Sequence, residues 1–345
     1  MKLHEALGVD LDLLNRRLIE VVETDSALPR PSVIADSIVQ LIKAGGKRLR
    51  PIMVMIGGRF GLRQGREEQI IRLAVLMEYL HMASLVHDDV IDQADIRRNM
   101  PTLHRVTDVP TAIHAANYMI VRAMEWANEA VNAGGEDEAE RLEHIQRIAG
   151  MASMATQLCQ GEYTQLENKF NFEMTLDDYL EKTRQKTAFL MAACFQAGAE
   201  AAGANPQVVE ELTAFGDCLG MAFQIRDDIL DYIEPDRKMG KPTGSDLRNG
   251  HITLPAYYAL QDDRIGPYLR SLHEHSSTSD FDHAVRLIKE SSAIERSWEL
   301  YRSYIGQARQ IMDRLSFHPS SRDLIILLDY FTQTSKPQTA ILQPQ

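Results

Sequence analysis

The fold is decided by the stretch IIRLAVLMEYLHMASLVHDDVID, residues 70–92. Before its aspartates it is apolar at almost every position, and Arg72, Glu78 and His81 are its main polar interruptions. Apolar residues on all sides predict a helix that other helices surround in a large core. We expect residues 70–86, the most apolar long stretch of the chain, to be too polar and too short to span a bilayer.

Helical patterns continue through nearly the whole chain, and the alternation typical of strands is rare. We therefore predict an all-α protein. Thr175 and Asp178 form a capping-box pattern, and Asn205–Pro206 is a helix start. Gly45 and Gly203 follow apolar helical runs and are expected to end them. The predicted helices cover residues 4–23, 32–44, 48–61, 67–92, 110–132, 137–168, 176–203, 207–233, 254–261, 280–290, 292–315 and 320–332.

No linker rich in proline, glycine or serine divides the chain, so we predict one domain over residues 1–334. Residues 335–345 are expected to form a disordered tail. Residues 233–253 form the longest break between helical patterns, and a loop of that length in a compact domain usually has a function.

The composition excludes several classes of protein. The 345-residue chain has 44% hydrophobic and 25% charged residues, which is the balance of an ordinary folded protein. With 49 acidic and 37 basic residues its net charge is −12, which argues against a nucleic-acid partner. Cys159, Cys194 and Cys218 lie far apart, so neither a disulfide framework nor a zinc site is expected. These features, and an N-terminal segment without an apolar signal core, indicate a cytoplasmic protein.

Two acidic motifs follow apolar helices. DDVID, residues 88–92, ends the first such helix, and DDILD, residues 227–231, ends another. In each motif the first and last aspartates are four residues apart and share one helix face, where like charges repel. Burial beside apolar residues adds a desolvation cost, so both motifs need a compensating cation.

Magnesium meets that need, because it prefers oxygen ligands and typically takes one or two carboxylates together with substrate phosphates. Two such motifs predict a magnesium cluster around one diphosphate. A single motif of this kind is equally well explained as a solvated acidic helix end. Two copies, each after an apolar helix, favour the metal site.

Basic residues flank the first acidic motif. Lys47 and Arg50, in GGKRLRP at residues 45–51, lie three apart on one helix face, and Arg97 and Arg98 follow the motif. Arginine binds phosphate oxygens with two parallel hydrogen bonds. Each basic pair alone would indicate only a soluble surface. Beside the acidic motif, the pairs indicate a second anion that is bound directly by cations.

These motifs resemble those of the trans-prenyltransferases, the polyprenyl diphosphate synthases. The resemblance extends from about residue 38 to residue 331. It rests on GGKRLRP (45–51), HMASLVHDDVID (81–92), RRNMPT (97–102), KTA (186–188), FQIRDDILD (223–231), GKPTGSDL (240–247) and TLP (253–255). Within the family, LIKAGGKRLRP, MEYLHMASLVHDDVID and KTRQKTAFLMAACFQAGA are most similar to the catalytic component of bacterial heptaprenyl diphosphate synthase.

The resemblance implies the isoprenoid synthase fold, which is a single-domain helical bundle around a deep central cavity. It also implies head-to-tail addition of isopentenyl diphosphate to an allylic diphosphate, either farnesyl or geranylgeranyl diphosphate. About two or three Mg²⁺ ions are expected in the active site. The implied magnesium ligands are Asp88, Asp92, Asp227 and Asp231, of which the first three bind directly. Asp231 assists, together with Asp89 and Asp228, and some of these three act through water.

The resemblance also assigns roles to single residues. The implied catalytic residues are Asp88, Asp89, Asp92, Asp227, Asp228, Lys186 and Lys241. The implied ligands of isopentenyl diphosphate are Lys47, Arg50, His81 and Arg98. The implied ligands of the allylic diphosphate are Arg97, Lys186, Thr187, Gln224 and Lys241. His81 falls two turns before Asp88 on a similar face, which favours this role over that of a core histidine.

Side chains that precede the first motif are predicted to limit product length. Ala83 and Ser84, one turn back, are small, which indicates an open tube and a long product. Leu80, Met77 and Leu76, farther back, are bulky enough to form its floor. One helical turn is about 5.4 Å, close to one extended isoprene unit, so we expect a product of roughly C30 to C40, with C35 favoured by the branch resemblance.

The sequence departs from the family pattern at a few positions. Asn99 stands where glycine is usual, Asn117 where aspartate is usual, and His251 where several short-chain members have lysine. These changes leave the metal motifs intact, but they weaken the assignment of the exact substrate and branch.

The resemblance further implies a homodimer, or a heterodimer with a small second subunit, and at most transient membrane contact while the product is released. Three alternatives stay open: a medium-chain (geranylgeranyl) diphosphate synthase, a non-catalytic diphosphate-binding regulatory subunit, and a class I terpene cyclase. The presence of all six motif aspartates disfavours the non-catalytic subunit. The aspartates of the second motif and the Lys47/Arg50 pair disfavour the cyclase.

Overall fold

The computed structural model describes residues 2–28, 31–61, 65–98, 100–129, 156–157, 160–161, 163–164, 166–234 and 242–333. These residues form helices and one small hairpin, so the predicted all-α class is confirmed. They belong to two compact units. The first unit lies within residues 8–163 and 189–213, and the second lies within residues 1–7, 164–188 and 214–345.

The helices are, in chain order, α1 (Leu3–Ala6), α2 (Leu11–Glu23), α3 (Val33–Lys43), α4 (Leu49–Gly57), α5 (Glu67–Ile91), α6 (Leu103–Val106), α7 (Val109–Glu129), α8 (Leu176–Thr183), α9 (Phe189–Ala201), α10 (Pro206–Ile233), α11 (Ser245–Arg248), α12 (Leu254–Ala259), α13 (Gly266–Arg270), α14 (Thr278–Glu290), α15 (Ala293–Arg314) and α16 (Ser321–Gln333). A 3₁₀ turn (Gly58–Phe60) follows α4, and a π-helical turn (Arg184–Ala188) joins α8 to α9. Strands β1 (Ile96–Arg97) and β2 (Met100–Pro101) form the antiparallel hairpin.

Most predicted helix ends are confirmed. The capping box of Thr175 and Asp178 is present, and α10 begins at Pro206. Gly45 and Gly203 have φ values of 77° and 69°, the left-handed conformation that glycine adopts at little cost. The short helices α6, α11 and α13 were not predicted, because four or five residues are too few to show a helical period.

The prediction of one helix over residues 4–23 is wrong. Gly8 adopts a φ of 58°, which ends the first helical turn. Asp10 then caps α2, since its Oδ1 accepts a hydrogen bond from the backbone N–H of Leu13 at 2.9 Å. The single-domain boundary at 334 stays a prediction. Residues 130–155 of the predicted helices, and the predicted tail, lie outside the described residues.

Helix α5 is the centre of the first unit. It packs against α2, α4, α7 and α9, and its buried residues lie on every side. Among the described residues, it is the one helix that is long and apolar enough to cross a membrane. This result rests on length and composition alone, and it differs from the prediction that residues 70–86 are too short and too polar to span a bilayer. Of its most apolar window, 67% is buried inside the protein, as in a core helix.

Helices α4 and α9 approach each other closely because glycines line their contact. A Cβ atom on Gly198 would lie 2.0 Å from the carbonyl oxygen of Val54, and one on Gly57 would lie 2.4 Å from that of Phe195. No side chain larger than hydrogen fits at either position. This contact holds the start of α4, which carries the basic GGKRLRP segment, against the core of the first unit.

In the second unit, α15 packs against α12, α14 and α16, and α1 packs against α16. The part of α10 after residue 213 buries Phe215, Leu219, Ile225, Ile229 and Tyr232 completely. The π-helical turn lies directly on α10, since a Cβ atom on Gly220 would fall 2.3 Å from the Cα of Ala188. This close approach brings the KTA segment beside the second acidic motif.

Candidate active site

The first acidic motif is formed by the last turn of α5. Asp88 is half-buried and Asp92 is exposed, and both lie on one face of the helix. Asp89 between them is 3% exposed, and its Oδ1 accepts a hydrogen bond from Arg97 Nε at 2.6 Å. Burial raises the pKa of Asp89, and the charge of Arg97 opposes that shift. The motif thus keeps two carboxylates accessible and uses the third to hold Arg97.

The two arginines of the hairpin after α5 contact different groups. Arg97 lies in β1 and pairs with Asp89, whereas Arg98 adopts a φ of 53° in the turn. The guanidinium of Arg98 donates a hydrogen bond to the carbonyl of Gly45. A Cβ atom on Gly46 would lie 2.6 Å from Arg98 Nη1, so glycine at this position makes room for the arginine. Arg98 therefore joins the basic segment before α4.

Arg50 from that segment, His81 from α5 and Arg98 from the hairpin form one cluster within the first unit, in which the two arginines carry the positive charge. Burial lowers the pKa of His81 well below its usual range, and the charges of Arg50 and Arg98 lower it further. The imidazole is therefore neutral at pH 7. Asp88 interacts electrostatically with Arg50, so a predicted metal ligand lies near the cluster.

Arg50 indicates what the cluster is built to bind. Its Nε is buried and donates no hydrogen bond to any group in the described part of the chain. Burial also lowers its pKa, against the opposing influence of Glu78. An orphaned guanidinium donor is costly unless a ligand satisfies it, and a phosphate oxygen is a suitable acceptor. Lys47, from the same segment, is exposed.

A buried ion pair that the sequence reasoning missed supports this cluster. Arg48 Nη1 and Glu78 Oε1 are 2.8 Å apart, and each side chain is 1% exposed. Arg48 also donates to Asn15 Oδ1 at 3.0 Å and to the carbonyl of Ile42 at 2.7 Å. The signal was a charged residue, Glu78, in the middle of an apolar core helix, because a buried charge needs a partner.

The second acidic motif lies on α10 in the second unit. Asp227 is exposed, whereas Asp228 and Asp231 are 3% and 2% exposed. Asp231 Oδ1 accepts a hydrogen bond from Ser245 Oγ at 2.8 Å, and its Oδ2 accepts one from the backbone N–H of Asp246 at 3.1 Å. Asp231 thereby holds the start of α11, a role that the sequence reasoning missed.

Asp228 is the centre of a buried hydrogen-bond chain. Its Oδ1 accepts from Gln224 Nε2 at 2.8 Å, and its Oδ2 accepts from the Tyr179 hydroxyl at 2.7 Å. Gln224 Oε1 in turn accepts from the Thr187 hydroxyl at 2.8 Å. Burial, with Asp246 nearby, raises the pKa of Asp228 to about 7, and the hydrogen bonds from Gln224 and Tyr179 oppose that shift.

The π-helical turn explains why Thr187 reaches Gln224. One extra residue in the turn shifts the register of the helix, and such turns occur frequently at functional sites. Lys186 is half-buried and Thr187 is buried in this turn. The predicted ligand Lys241 lies outside the described residues.

Each motif fits a magnesium ion that is completed by other ligands. Among the described residues, no three His, Cys, Asp or Glu side chains are gathered in one place to hold a metal ion. The accessible carboxylates are Asp88 and Asp92 in one unit and Asp227 in the other. One or two carboxylates, with water and phosphate oxygens, form a normal magnesium site.

The residues predicted to limit product length differ in exposure. Leu76, Met77, Leu80 and Ala83 are 5%, 1%, 2% and 0% exposed. Ser84 is half-buried, and its hydroxyl donates to the carbonyl of His81 at 2.8 Å. Of the two small residues in this set, Ser84 is therefore partly exposed and Ala83 is fully buried.

Of the residues that depart from the family pattern, Asn117 Oδ1 lies 3.2 Å from His87 Nε2. His251 is 8% exposed, and its backbone N–H donates to the carbonyl of Asp246 at 2.8 Å. Asn99 lies outside the described residues.

Comparison with known proteins shows the family to which the chain belongs. The model of the polyprenyl synthetase family matches residues 31–290. The chain is 35% identical to heptaprenyl diphosphate synthase component 2 of Geobacillus stearothermophilus over 329 residues, which cover 94% of this chain and 97% of that one.

Solved structures of related proteins have the same fold. A decaprenyl diphosphate synthase from Rhodobacter capsulatus superposes with a TM-score of 0.83 at 29% identity, covering 97% of this chain and 99% of that one. A polyprenyl synthase from Caulobacter crescentus, complexed with calcium and isoprenyl diphosphate, superposes with a TM-score of 0.81 at 28% identity, covering 97% and 98%. The chain therefore has the isoprenoid synthase fold and belongs to the polyprenyl synthetase family.

Proposed function

We propose that this chain is a trans-prenyltransferase that adds isopentenyl diphosphate head to tail to an allylic diphosphate and makes a long-chain all-trans polyprenyl diphosphate. The cluster of Arg50, His81 and Arg98 near Asp88 carries this proposal, because it offers an anion a buried unsatisfied donor close to metal-binding carboxylates. The matched relatives named above are heptaprenyl, decaprenyl and polyprenyl synthases.

In the reaction of this family, the C–O bond of the allylic diphosphate breaks, and its electron pair leaves with pyrophosphate. The double bond of isopentenyl diphosphate supplies the pair for the new carbon–carbon bond to the allylic cation. A proton then passes to an oxygen of the departing pyrophosphate. This chemistry needs no protein nucleophile. It needs preorganised positive charge where the leaving group develops negative charge.

In the first unit, Lys47, Arg50, His81 and Arg98 are the proposed ligands of isopentenyl diphosphate, and Arg97 is a proposed ligand of the allylic diphosphate. His81 is neutral at pH 7, so it donates a hydrogen bond without adding charge. Asp89 holds Arg97 in place through the 2.6 Å contact.

In the second unit, Lys186, Thr187 and Gln224 are proposed ligands of the allylic diphosphate, and Lys241 is proposed with them. The buried position of Asp228 and Asp231, and their protein donors, support indirect roles for both.

A divalent metal, which we propose to be Mg²⁺, would be held by Asp88 and Asp92 in the first unit and by Asp227 in the second. When bound, it neutralises charge on the diphosphate and so stabilises the leaving group. The donor set supports this choice, since all three are hard carboxylate oxygens.

We propose a product of roughly C30 to C40, with C35 favoured, because the small Ser84 leaves room for several isoprene units of about one helical turn each. The relative that is named as component 2 supports a heterodimer with a small second subunit, and a homodimer is the alternative. We place the enzyme in the cytoplasm, with transient membrane contact when the product leaves.

The proposal is tested with the purified chain, labelled isopentenyl diphosphate, farnesyl diphosphate and magnesium, followed by separation of the dephosphorylated products by length. A magnesium-dependent ladder that ends near C30 to C40 and disappears in Asp88→Ala is the expected result. If the chain alone is inactive, the assay is repeated with extract of the host cell. Activity that returns and still depends on Asp88 indicates the second subunit, and continued inactivity indicates a non-catalytic chain.

A further inference from the structure

Tyr179 is a buried residue of the second unit that none of the predicted roles includes. It lies on α8, is 1% exposed, and donates its hydroxyl hydrogen to Asp228 Oδ2 at 2.7 Å. Its ring also lies 5.5 Å from the ammonium group of Lys182. The hydrogen bond joins two residues that are 49 positions apart in the chain, so it ties α8 to the acidic end of α10.

Asp228 connects Tyr179 to two proposed ligands of the allylic diphosphate. The amide nitrogen of Gln224 donates a hydrogen bond to Asp228 Oδ1 at 2.8 Å, so this nitrogen faces the carboxyl group. The oxygen of that amide then faces Thr187 and accepts its hydroxyl hydrogen. The orientation of Gln224 and Thr187 therefore follows from where the carboxylate of Asp228 points.

Each end of this chain of hydrogen bonds needs an anchor. The Gln224–Asp228 contact lies within one helix, at i and i+4, and leaves the carboxylate free to rotate about its own side-chain bonds. Tyr179 supplies a fixed donor from a different helix, on a rigid ring with few rotamers. The π-helical turn, which packs against Gly220, fixes the position of Thr187 at the other end.

We propose that Tyr179 is a positioning residue for the allylic substrate: through Asp228 it sets the orientation of Gln224 and Thr187, without touching the substrate. This inference rests on the proposed function. It predicts that loss of the Tyr179 hydroxyl harms binding of the allylic diphosphate and spares binding of isopentenyl diphosphate, whose proposed ligands are in the first unit.

The first experiment compares the steady-state kinetics of Tyr179→Phe with those of the wild type under identical buffer conditions. We expect KM for farnesyl diphosphate to rise about tenfold, the equivalent of 1.4 kcal/mol, and KM for isopentenyl diphosphate to change less than about twofold. The matched control is Tyr268→Phe, which removes a hydroxyl that donates to the backbone carbonyl of Asp280 elsewhere in the same unit. The control is expected to leave both KM values unchanged.

A second variant, Asp228→Asn, keeps the shape of the side chain and replaces one acceptor oxygen by an NH₂ group that donates hydrogen bonds. If the oxygen of the new asparagine accepts the hydrogen bond from Tyr179, the asparagine NH₂ group faces Gln224. The Gln224 amide must then rotate, so that its oxygen faces the asparagine and its nitrogen faces Thr187. The same selective rise in KM for farnesyl diphosphate is expected. A role for Asp228 as space filler alone predicts no change in either KM.

A double variant tests whether Tyr179 acts through Gln224. In a Gln224→Ala background, Tyr179→Phe is expected to add less than about twofold to KM, because the two changes break the same chain. The inference is overturned if Tyr179→Phe shifts both KM values equally, if it lowers only the melting temperature and kcat, or if its effect multiplies with that of Gln224→Ala. A wild type that stays inactive even with extract of the host cell would instead count against the proposed function.

Discussion

The buried pair of Arg48 and Glu78 allows a quantitative test of how the basic segment is held in place. Both side chains are 1% exposed, and their charged atoms are 2.8 Å apart. Arg48 makes three more hydrogen bonds, to Asn15 Oδ1, to the carbonyl of Ile42 and to Met82 Sδ. Arg48→Met keeps the length of the side chain and removes its charge and all four of these hydrogen bonds. Glu78 is then a buried charge without its hydrogen-bonded partner.

The expected cost follows from that leftover charge. Removing one partner of a buried pair typically costs about 3–5 kcal/mol, whereas replacing both partners by apolar residues of similar volume is often close to neutral. Glu78 Oε2 already accepts no hydrogen bond among the described residues, and Oε1 accepts one from Arg48, so loss of Arg48 removes the one hydrogen bond that this carboxylate has there. We therefore expect Arg48→Met to cost about 3–5 kcal/mol and the double variant with Glu78→Leu to recover most of that loss.

The assay is denaturant unfolding of the wild type, the two single variants and the double variant, followed by circular dichroism, with the midpoints compared at constant slope. Arg17→Met is the control, because Arg17 forms only exposed ion pairs with Glu20 and Glu68, and it is expected to cost less than about 1 kcal/mol. The reasoning is refuted if Arg48→Met costs no more than Arg17→Met, or if the double variant is no more stable than Arg48→Met.

Three further outcomes are expected. Gly198→Ala places a Cβ atom 2.0 Å from the carbonyl oxygen of Val54, so it should lower the free energy of unfolding by about 1–3 kcal/mol. In Gly306→Ala the new Cβ atom has nothing within 4 Å, so this control should raise the free energy of unfolding by about 0.5–1 kcal/mol. Equal effects of the two variants in thermal unfolding would contradict the packing argument. Ser84→Phe should shorten the product to about C15 or C20, because it fills a position roughly one helical turn before the first motif, and an unchanged ladder would remove Ser84 as a limit on length. Burial raises the pKa of Cys218 to about 11, which lowers the fraction of reactive thiolate at pH 8. In a variant without the other cysteines, the folded protein should therefore react with a thiol reagent about 100-fold more slowly than the unfolded protein does. Equal rates would contradict the burial of Cys218.

The sequence alone determined the class of fold and the identity of the chemical motifs. Apolar patterns and caps are local, so the long helices, the capping box at Thr175 and the start of α10 at Pro206 could be predicted from neighbouring residues. The spacing of the aspartates predicted which of them share a helix face. The family was also recognisable from these motifs, as the match over residues 31–290 confirms.

Only the tertiary structure decided what each motif residue does. Asp89 and Asp228 look equivalent in sequence, yet one pairs with Arg97 and the other accepts from Tyr179 and Gln224. The π-helical turn is equally invisible, since it depends on the close approach of α10 at Gly220. These features rest on contacts between residues that are distant along the chain, and no helical period or local spacing specifies which distant side chains meet. The sequence therefore determined which residues are candidates for the chemistry, and packing decided which of them are exposed and which are buried against other side chains.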